Sequence, residues 1–573
     1  MTLHRRCPKT ETIGWGSWRR VTRWRAEQGR HPAPLQLTVP KSGEILAKPP
    51  PSLAMPVSYY NGVENNTHPT WWKDPALRRN ALWVSLSALM YGVKGYDSGM
   101  LNSAQAVPQF YLQFPSLKNN STLLGLTTAV MYLPGLFLPF LGAWLADKVG
   151  RKIPLIIAIL GAMLTPIIQA TSKNLGQLIA GRFLMGCFSS VGAVSGLAMC
   201  AELSHPRFRA QAMSLQLSMY YIGNILCSSV AYACITHIGN SEWSWRIPFL
   251  TQSVLPILCL PLAIWIPQSP RWLVAQGRED EARKILANLH ANGKMDDPLV
   301  TMEMDEVANA IELERSNTEG WSALWRTKAN RWRTWIVVHS AAGAQLNGIG
   351  IIAYYLVPML KVVGITDSRQ QSVLIIGMGV MNLGMNTAAT YVVDRAGRRP
   401  MWISSTLTML VCLSAITGLS ASFQKSPNPA IGSATVAFIF LFYCGFDIGW
   451  MPLGTPYTTE ILPFGIRAKG IGLSTVSTYG ALCINTFVNP IAMSKISWKY
   501  YFVYIFMCCY LLVVAYFTFP ETKGRTLEQI GVVFGDLDED ALHVHRGNVD
   551  LEKAPADLQI ENKPDNTVVT LAK

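Results

Sequence analysis

The most constraining feature of the sequence is a short basic turn between two long apolar runs. Residues 141–152 read LGAWLADKVGRK, so the first run ends at Asp147 and the next begins after Lys152. Two membrane helices joined by so short a turn must come back on each other, and Lys and Arg are retained on the cytoplasmic side of a membrane. The turn therefore predicts an antiparallel pair of membrane helices whose connection faces the cytoplasm.

Three local patterns recur about 250 residues apart. The basic turn DKVGRK at 147–152 recurs as DRAGRR at 394–399, with an offset of 247 residues. ELSHPRFR at 202–209 is echoed by EILPFGIR at 460–467, with an offset of 258 residues. PQSPR at 267–271 is echoed by PETKGR at 520–525, with an offset of 253 residues. Three patterns repeated in the same order predict an internal duplication.

Composition places the chain among polytopic membrane proteins. Only 15% of its 573 residues are charged and 50% are hydrophobic, whereas soluble chains average about 25% charged residues. The net charge of +14 fits an excess of Lys and Arg on cytoplasmic loops. No basic stretch is interleaved with exposed aromatic residues on a soluble domain, so we expect no nucleic-acid partner. The eleven cysteines form no CxxC pair, which disfavours a disulfide framework or a zinc site.

The apolar runs predict twelve membrane helices, α1 to α12. Their approximate bounds are 81–104, 121–146, 153–172, 177–201, 211–236, 246–266, 333–361, 369–394, 400–423, 432–456, 468–492 and 499–519. The predicted fold class is an all-α membrane protein with two pseudo-symmetric halves of six helices. Residues 1–51 contain no apolar signal-peptide segment, so α1 is expected to act as the insertion signal.

The predicted domain organisation follows from these spans. It comprises a mostly disordered cytoplasmic tail at 1–80, an N-terminal half at 81–266, a cytoplasmic linker with amphipathic helices at 267–332, a C-terminal half at 333–519 and a cytoplasmic tail at 520–573. In the linker, 279–290 places its apolar residues on one helical face. Basic turns follow every even-numbered helix, so both termini are expected in the cytoplasm.

A duplicated bundle without a cofactor motif is typical of a transporter whose site lies at the membrane midplane between the halves. The sequence has no GxxxxGK[ST] loop for ATP and no HExxH or GxSxG motif of a hydrolase. We therefore expect no cofactor and no enzymatic activity. A nutrient sensor that keeps the carrier fold is the alternative from another class, and the long tails permit it.

Two ionisable residues are predicted at similar depth within the first half, where buried charges are costly and often functional. Asp97 lies about 24 Å into α1 at ~1.5 Å per residue, and Arg182 lies near the outer end of α4. A nearby Arg lowers the pKa of an Asp, so this pair can load and release a proton. The alternative is a static structural ion pair, and Lys94, three residues before Asp97, can neutralise the carboxylate instead.

Acidic and basic residues repeat at the cytoplasmic ends of the helices. We predict that their ion pairs latch the halves when the inner gate is shut, although topology alone also explains the basic members. The gating residues are Asp147, Arg151, Glu202, Arg209, Asp394, Arg398, Glu460 and Arg467.

Polar side chains also recur at depth in the second half. Amides offer both donors and acceptors, and a ligand with many hydroxyl groups requires such uncharged partners and an aromatic ring against its apolar face. A single amide more often joins helices, but several together favour a sugar or polyol site. The predicted substrate-binding residues are Gln345, Asn347, Tyr354, Tyr355, Asn382, Asp447, Asn485 and Asn489.

The motifs resemble those of the sugar porter family of the major facilitator superfamily. They are GYD (95–97), GAWLADKVGRK (142–152), GRFLMG (181–186), AELSHPRFR (201–209), PQSPRWL (267–273), VDRAGRR (393–399), EILPFGIRAKG (460–470) and PETKGRTLEQI (520–530). Three segments are most similar to the fungal lactose permease and cellodextrin transporter branch: AYYL (353–356), PYTTEILP (456–463) and NTFVNPIA (485–492).

The resemblance implies a role for each matching position. Asp97 and Arg182 take the places of the proton-coupling pair of proton–sugar symporters. The positions of sugar ligands in the family are taken here by Gln345, Asn382, Asp447, Asn485 and Asn489. The implied activity is proton-coupled uptake of a sugar or polyol by a plasma-membrane carrier that works as a monomer in the lipid bilayer, with uncoupled facilitated transport as the alternative.

The sequence departs from the family pattern at several of these positions. The first helix 7 Gln is Ala344, 348–350 reads GIG without the motif's Asn, and Thr455 stands where many hexose carriers have a Trp. Gln216 is about one residue out of register, and Gln268 replaces a Glu. The substrate stays open among a disaccharide, a hexose, a non-sugar polyol and a cyclic acid.

Overall fold

The computed structural model describes residues 59–60, 63–64, 68, 70–316, 319–525, 527–536, 558–563 and 566–571. These residues belong to one compact unit, Met55–Lys573, and a second unit, Met1–Ala54, lies outside them. The disorder predicted for the tail therefore falls mostly on residues that are not described. Two antiparallel strand pairs occur near the ends of the compact unit, Tyr59–Tyr60 with Val63–Glu64 and Leu558–Lys563 with Asn566–Leu571.

The described chain is otherwise helical. The uninterrupted membrane helices are α1 Pro75–Gln105, α3 Lys152–Ala170, α4 Leu175–Leu203, α5 Arg209–His237, α8 Ser368–Ala396, α9 Arg398–Lys425, α10 Pro429–Ile461 and α11 Phe464–Ile496. The interrupted ones are α2 (Ser121–Ala129, Leu133–Leu136, Leu138–Val149), α6 (Trp243–Thr251, Val254–Trp265), α7 (Lys328–Leu346, Ile349–Val362) and α12 (Ser497–Tyr500, Tyr501–Thr518). Short helices follow α6 at Pro270–Ala275, Glu279–His290, Pro298–Ser316 and Ala323–Arg326, and α12 at Leu527–Phe534.

Helix α1 begins at Pro75, about one and a half turns before its predicted start. Asp74 caps it, since its side chain accepts a hydrogen bond of 2.9 Å from the Ala76 N–H, and Pro occupies the first helical position, where its missing N–H costs nothing. The first turns carry two arginines, Arg78 and Arg79. A prediction from hydropathy alone stops at these charges, although the backbone continues through them.

Three of the membrane helices are broken at depth. Helix α2 changes to a 3-10 turn at Pro134 and Gly135, and α6 is interrupted at Gln252 and Ser253. Helix α7 breaks at Gly348, which has a φ of +97° that only glycine adopts without strain. Discontinuous membrane helices expose backbone polar groups near the substrate sites of transporters. The breaks therefore direct attention to the middle of the bundle.

Among the described residues, nine helical stretches are long and apolar enough to cross a membrane. One of them, Phe464–Thr518, contains both α11 and α12. The other eight are α3 to α10, one span each. The remaining two predicted spans are α1, which carries charged residues, and α2, which is divided into short pieces.

Helix packing repeats between the halves. In the first half α1 packs on α5, α3 on α4 and α6, and α2 on α4; in the second half α7 packs on α11, α9 on α10 and α12, and α8 on α10. Adding six to each number of the first set gives the second set. The two halves meet through α2 with α11 and α5 with α8. The same correspondence between the halves converts each of these two contacts into the other. The predicted pseudo-symmetric pair of six-helix halves is confirmed.

Candidate functional site

The two halves are joined on one side of the bundle. We call the side that carries 267–326 the linker side; α1 begins there, since the Ala76 N–H donates to Asn292 Oδ1. On the opposite, far side, Gln105 Nε2 donates to the Tyr354 carbonyl at 3.1 Å. The rings of Tyr132 and Tyr354 lie 5.6 Å apart. These contacts join the first half to α7 towards the far side.

A cavity lies between the halves, next to these contacts. Helices α1, α5, α7, α8 and α10 all contribute to it. Its polar and aromatic lining includes Asn102, Asn224, Asn382, Tyr220, Tyr354 and Tyr443. No Asp, Glu, Lys or Arg is among the described residues that line it. The cavity therefore offers amides and aromatic rings to an uncharged part of a ligand.

Two of the predicted binding residues, Tyr354 and Asn382, line this cavity. The sequence analysis missed the contributions of α1 and α5. Asn102 of α1 is buried, and its Oδ1 has no hydrogen-bond partner among the described residues, so it is free to accept one from a ligand hydroxyl. A polar residue one and a half turns after Asp97 in an apolar helix was the available signal, whereas the tyrosines of α5 are indistinguishable in sequence from core residues.

Asp447 does not line the cavity itself but binds two side chains that do, and it connects the two halves. Its Oδ1 accepts a hydrogen bond of 2.6 Å from Tyr221 Oη of α5. In the amide orientation that satisfies its neighbours, Asn382 Nδ2 donates to Asp447 Oδ2 at 3.1 Å. Because Tyr221 and Asn382 both line the cavity, the buried carboxylate fixes the orientation of two groups that a ligand would touch.

The helix 11 amides lie in a different network. Asn485 Nδ2 donates to the Gln345 carbonyl of α7. Tyr504 of α12 directs its hydroxyl to Asn485 Oδ1 and Asn489 Oδ1, at 2.5 Å from each. The structure therefore uses these side chains to connect α7, α11 and α12, and they do not line the central cavity.

Asn347 and Tyr355 also stabilise the broken helix α7. Asn347 Oδ1 accepts a hydrogen bond of 3.1 Å from the Ile349 N–H, which caps the second piece of the helix. Tyr355 has non-helical angles, φ −136° and ψ 32°, and its hydroxyl donates to the Thr486 carbonyl at 2.6 Å. Both residues hold the kinked shape that brings Tyr354 to the cavity.

Asp97 and Arg182 lie close enough for their charges to interact, but each has another hydrogen-bond partner. Asp97 Oδ1 accepts a hydrogen bond from Gln252 Nε2 at the break in α6. Arg182 Nε donates to the Thr127 carbonyl of α2 at 2.7 Å. Gln252 was not predicted, although an amide in an otherwise apolar helix was a visible signal. A buried carboxylate with one amide donor and two nearby cations, Arg182 and Lys94, is suited to binding and releasing a proton.

The linker-side ion pairs form two matching clusters. In the first half, Arg151 Nε lies 3.5 Å from Glu202 Oε2, and Ser269 donates to the same carboxylate. In the second half, Arg398 Nη2 lies 3.0 Å from Glu460 Oε1. Thr522, which is 253 residues after Ser269, donates to Glu460 Oε2 at 2.5 Å. Each cluster lies within one half, so the latch between halves stays a prediction for the opposite conformation.

The other predicted gating residues have varied partners. Asp147, with an exposed side chain, lies 3.2 Å from Arg151. Arg209 lies 3.9 Å from Glu303 of the linker. Arg467 Nε donates to the Leu462 carbonyl at 3.1 Å. The side chain of Asp394 lies outside the described residues.

Gln268, which replaces the family's Glu in the PQSPR segment, removes a negative charge but keeps a hydrogen bond to the start of the next helix. Gln268 Oε1 accepts a hydrogen bond of 3.2 Å from the Lys152 N–H at the start of α3. The equivalent Glu521 accepts from the N–H groups of Arg398 and Arg399, at 2.9 and 3.0 Å, at the start of α9. A carboxylate at a helix N-terminus is stabilised by the helix dipole, so only the second half has this additional electrostatic contribution.

A buried histidine pair joins the linker to the first half. The rings of His205 and His290 are 5.0 Å apart, and His290 Nδ1 lies 2.6 Å from Glu303 Oε2. Burial, with the neighbouring His290, Arg207 and Arg209, lowers the pKa of His205 to about 3 from its ordinary value of 6.5. His205 is therefore neutral in the folded protein at physiological pH.

Acidification is expected to destabilise the protein through His205. An unfolded chain binds a proton at this residue below about pH 6.5, whereas the folded chain does not, so stability falls as pH falls from about 6.5 towards 3. Between about pH 7 and 5 the loss is about 2 kcal/mol. Thermal melting in detergent should show this loss, and His205→Asn should reduce it. His237→Asn, at an exposed position, should leave the pH dependence unchanged; an equal effect of both variants would contradict the assignment.

Comparisons with known proteins agree with this architecture. Residues 81–534 match the family model described as "Sugar (and other) transporter". The MFS-type transporter oryC of Aspergillus oryzae is 28% identical over 456 residues, which cover 78% of this chain and 84% of that protein. The high-affinity glucose transporter of Kluyveromyces lactis is 27% identical over 472 residues, which cover 79% and 84%.

Solved structures share the fold. The proton:xylose symporter XylE bound to 6-bromo-6-deoxy-D-glucose has a TM-score of 0.64 at 21% identity and covers 79% of this chain and 99% of its own. The inward-open XylE from E. coli has a TM-score of 0.66 at 21% identity, with coverages of 80% and 99%. This likeness and the repeated helix packing identify the major facilitator fold. Together with the family match, they show that this multi-pass membrane protein belongs to the sugar transporter family of that superfamily, a family of carriers and not of enzymes.

Proposed function

We propose that this protein is a secondary transporter that moves a sugar or sugar-like polyol across the membrane by alternating access. The observation that carries the proposal is the central cavity, which lies between two repeated halves and presents amides and tyrosines to a ligand. The name of the Kluyveromyces lactis relative, a high-affinity glucose transporter, supports a sugar substrate. The sequence segments AYYL, PYTTEILP and NTFVNPIA support a relationship to the lactose permease and cellodextrin transporter branch of the family.

Proton symport is the proposed mode of energy coupling. Its support is the burial of Asp97 beside Gln252, with Arg182 and Lys94 near enough to interact with its charge. The carboxylate can bind a proton in one conformation and lose it in the other when its access to water and to the cations changes. XylE, which shares the fold, is described as a proton:xylose symporter. The predicted ion pairs between the halves would break when the linker side opens.

The basic turns support a defined topology. Because Lys and Arg are retained in the cytoplasm, we propose that the linker side faces the cytoplasm together with both termini. The plasma membrane is the proposed location, and the single chain in its bilayer is the proposed functional unit, since the cavity is completed by the two halves of one chain.

Radiolabelled uptake in a transport-null host tests the proposal. Cells that express the protein should accumulate a sugar from a panel of hexoses, disaccharides and polyols, and a protonophore should abolish the accumulation. Vector-only cells control for background entry. Absence of uptake of every ligand, at normal surface expression, would favour the sensor alternative. Uptake that is unchanged by the protonophore would instead indicate an uncoupled facilitator.

A further inference from the structure

Lys94 is a cation of the central region that interacts with the charge of Asp97 but has not been assigned a contact with the substrate. It lies one turn before Asp97 on α1, on the linker side of it, and lines a second cavity with that residue. Its Nζ lies 5.4 Å from the ring centroid of Tyr91 and 6.0 Å from that of Tyr479. Tyr479 belongs to α11 of the opposite half, so the ammonium group lies where the two halves meet.

The local charges do not balance among the described residues. Lys94 and Arg182 are two cations, and Asp97 is the carboxylate that interacts with both. Asp447, a second buried carboxylate within the membrane helices, is bound by Tyr221 and Asn382. The described partners of the Lys94 ammonium are tyrosines: rings, which attract a cation modestly, and the Tyr479 hydroxyl. Lys94 is half-buried, and a cation removed from water without a matching anion is costly, so the site has one positive charge available for a ligand.

This charge is adjacent to the proposed substrate cavity. Tyr220 lines the central cavity and also interacts with Lys94. Its ring lies 6.4 Å from that of Tyr91. Tyr220 thus contacts both the uncharged central cavity and the ammonium group.

We propose that the transported ligand includes a carboxylate that pairs with Lys94, so that the preferred substrates are acidic sugars or cyclic polyol acids. This inference rests on the proposed transport function and deepens it. The amides of the central cavity bind the hydroxyl groups, and the carboxylate forms a charge-assisted hydrogen bond with the ammonium group, which is stronger than a neutral one. The pairing supplies the anion that the site lacks.

A matched pair of ligands tests the inference without any mutation. D-glucose and D-glucuronate differ only in the oxidation of one terminal carbon, and quinate provides a second acid. In cells that express the wild-type protein, glucuronate or quinate should inhibit the uptake of a radiolabelled substrate at a concentration at least tenfold lower than glucose requires. Equal inhibition by acid and neutral sugar, or stronger inhibition by glucose, would overturn the inference while leaving sugar transport intact. Failure of every ligand would instead contradict the transport function itself.

Variants of Lys94 locate the effect. Lys94→Gln should raise KM for the acid by about 10- to 100-fold, a much larger rise than it causes in KM for glucose. Lys94→Arg should retain the preference for acid, because it keeps the charge. Lys425→Gln, which removes an exposed lysine, is the control. If Lys94→Gln raises both KM values equally at normal expression, Lys94 has a packing role and the inference is wrong.

Discussion

Gly95→Ala is expected to remove most of the folded protein from the membrane. A Cβ at residue 95 would lie 1.8 Å from the Tyr220 carbonyl oxygen of α5. The contact is reciprocal, since a Cβ on Gly223 would lie 1.9 Å from the Gly92 carbonyl oxygen. Small residues allow membrane helices to approach closely, and here the obstructing atoms are backbone. Neither helix can yield by changing a rotamer, so we expect a cost above about 3 kcal/mol.

Fluorescence-detected size exclusion and thermal melting in detergent measure this loss. The matched control is Gly196→Ala on α4, where an added Cβ meets no atom within 4 Å. The control should give a wild-type elution profile, whereas Gly95→Ala should aggregate or melt at a much lower temperature. If Gly95→Ala eluted and melted like the control, the close approach of α1 and α5 would be refuted, and with it the positions of Asp97 and Tyr220.

The bundle was predictable because its evidence is repeated and local. Each short pattern, such as the pair of Glu202 and Arg151, occurs again with the same chemistry at Glu460 and Arg398. Apolar runs give the number of helices, and basic turns give their order. These signals require no knowledge of how a helix is rotated about its axis, so they identified the two-half architecture from the sequence.

The lining of the cavity was harder to predict, because the rotation of each helix about its own axis decides which amide side chains face the cavity. Asn382 and Asn485 look equivalent in the sequence, yet Asn382 lines the cavity and Asn485 bonds to α7 and α12. The break at Gly348 changes the direction of α7, and no periodicity rule includes such a break. Tyr220 and Tyr221 were missed for a related reason, since a tyrosine in an apolar run is most often a core residue.

The GIG departure has a structural explanation. A Cβ at Gly350 would lie 2.1 Å from Asn485 Nδ2. The space that the family's Asn side chain would need is therefore filled by Asn485, which can then reach the Gln345 carbonyl. The absence of an amide side chain at Gly350 of α7 and the position of Asn485 of α11 in the space beside it therefore depend on each other.

Asp97→Asn is expected to abolish accumulation driven by a pH gradient while it leaves exchange of substrate intact. Asparagine has nearly the same shape and can still accept the hydrogen bond from Gln252, but it cannot bind and release a proton. One pH unit corresponds to about 1.4 kcal/mol per proton, which supports about tenfold accumulation of a substrate that is coupled to one proton. In proteoliposomes with this gradient, the wild type should approach that ratio and Asp97→Asn should stay near one.

Asp447→Asn is the matched control, because it changes the other buried carboxylate of the bundle's centre. The Asp447→Asn side chain retains an oxygen for the Tyr221 hydroxyl but presents an NH2 group to Asn382 in place of the second carboxylate oxygen. We expect weaker substrate binding, seen as a higher KM, with the accumulation ratio still set by the pH gradient. Accumulation by Asp97→Asn at the wild-type ratio would contradict the assignment of the proton site. Loss of accumulation in Asp447→Asn alone would transfer that role to Asp447, since only a group whose protonation changes during the cycle can couple the two fluxes.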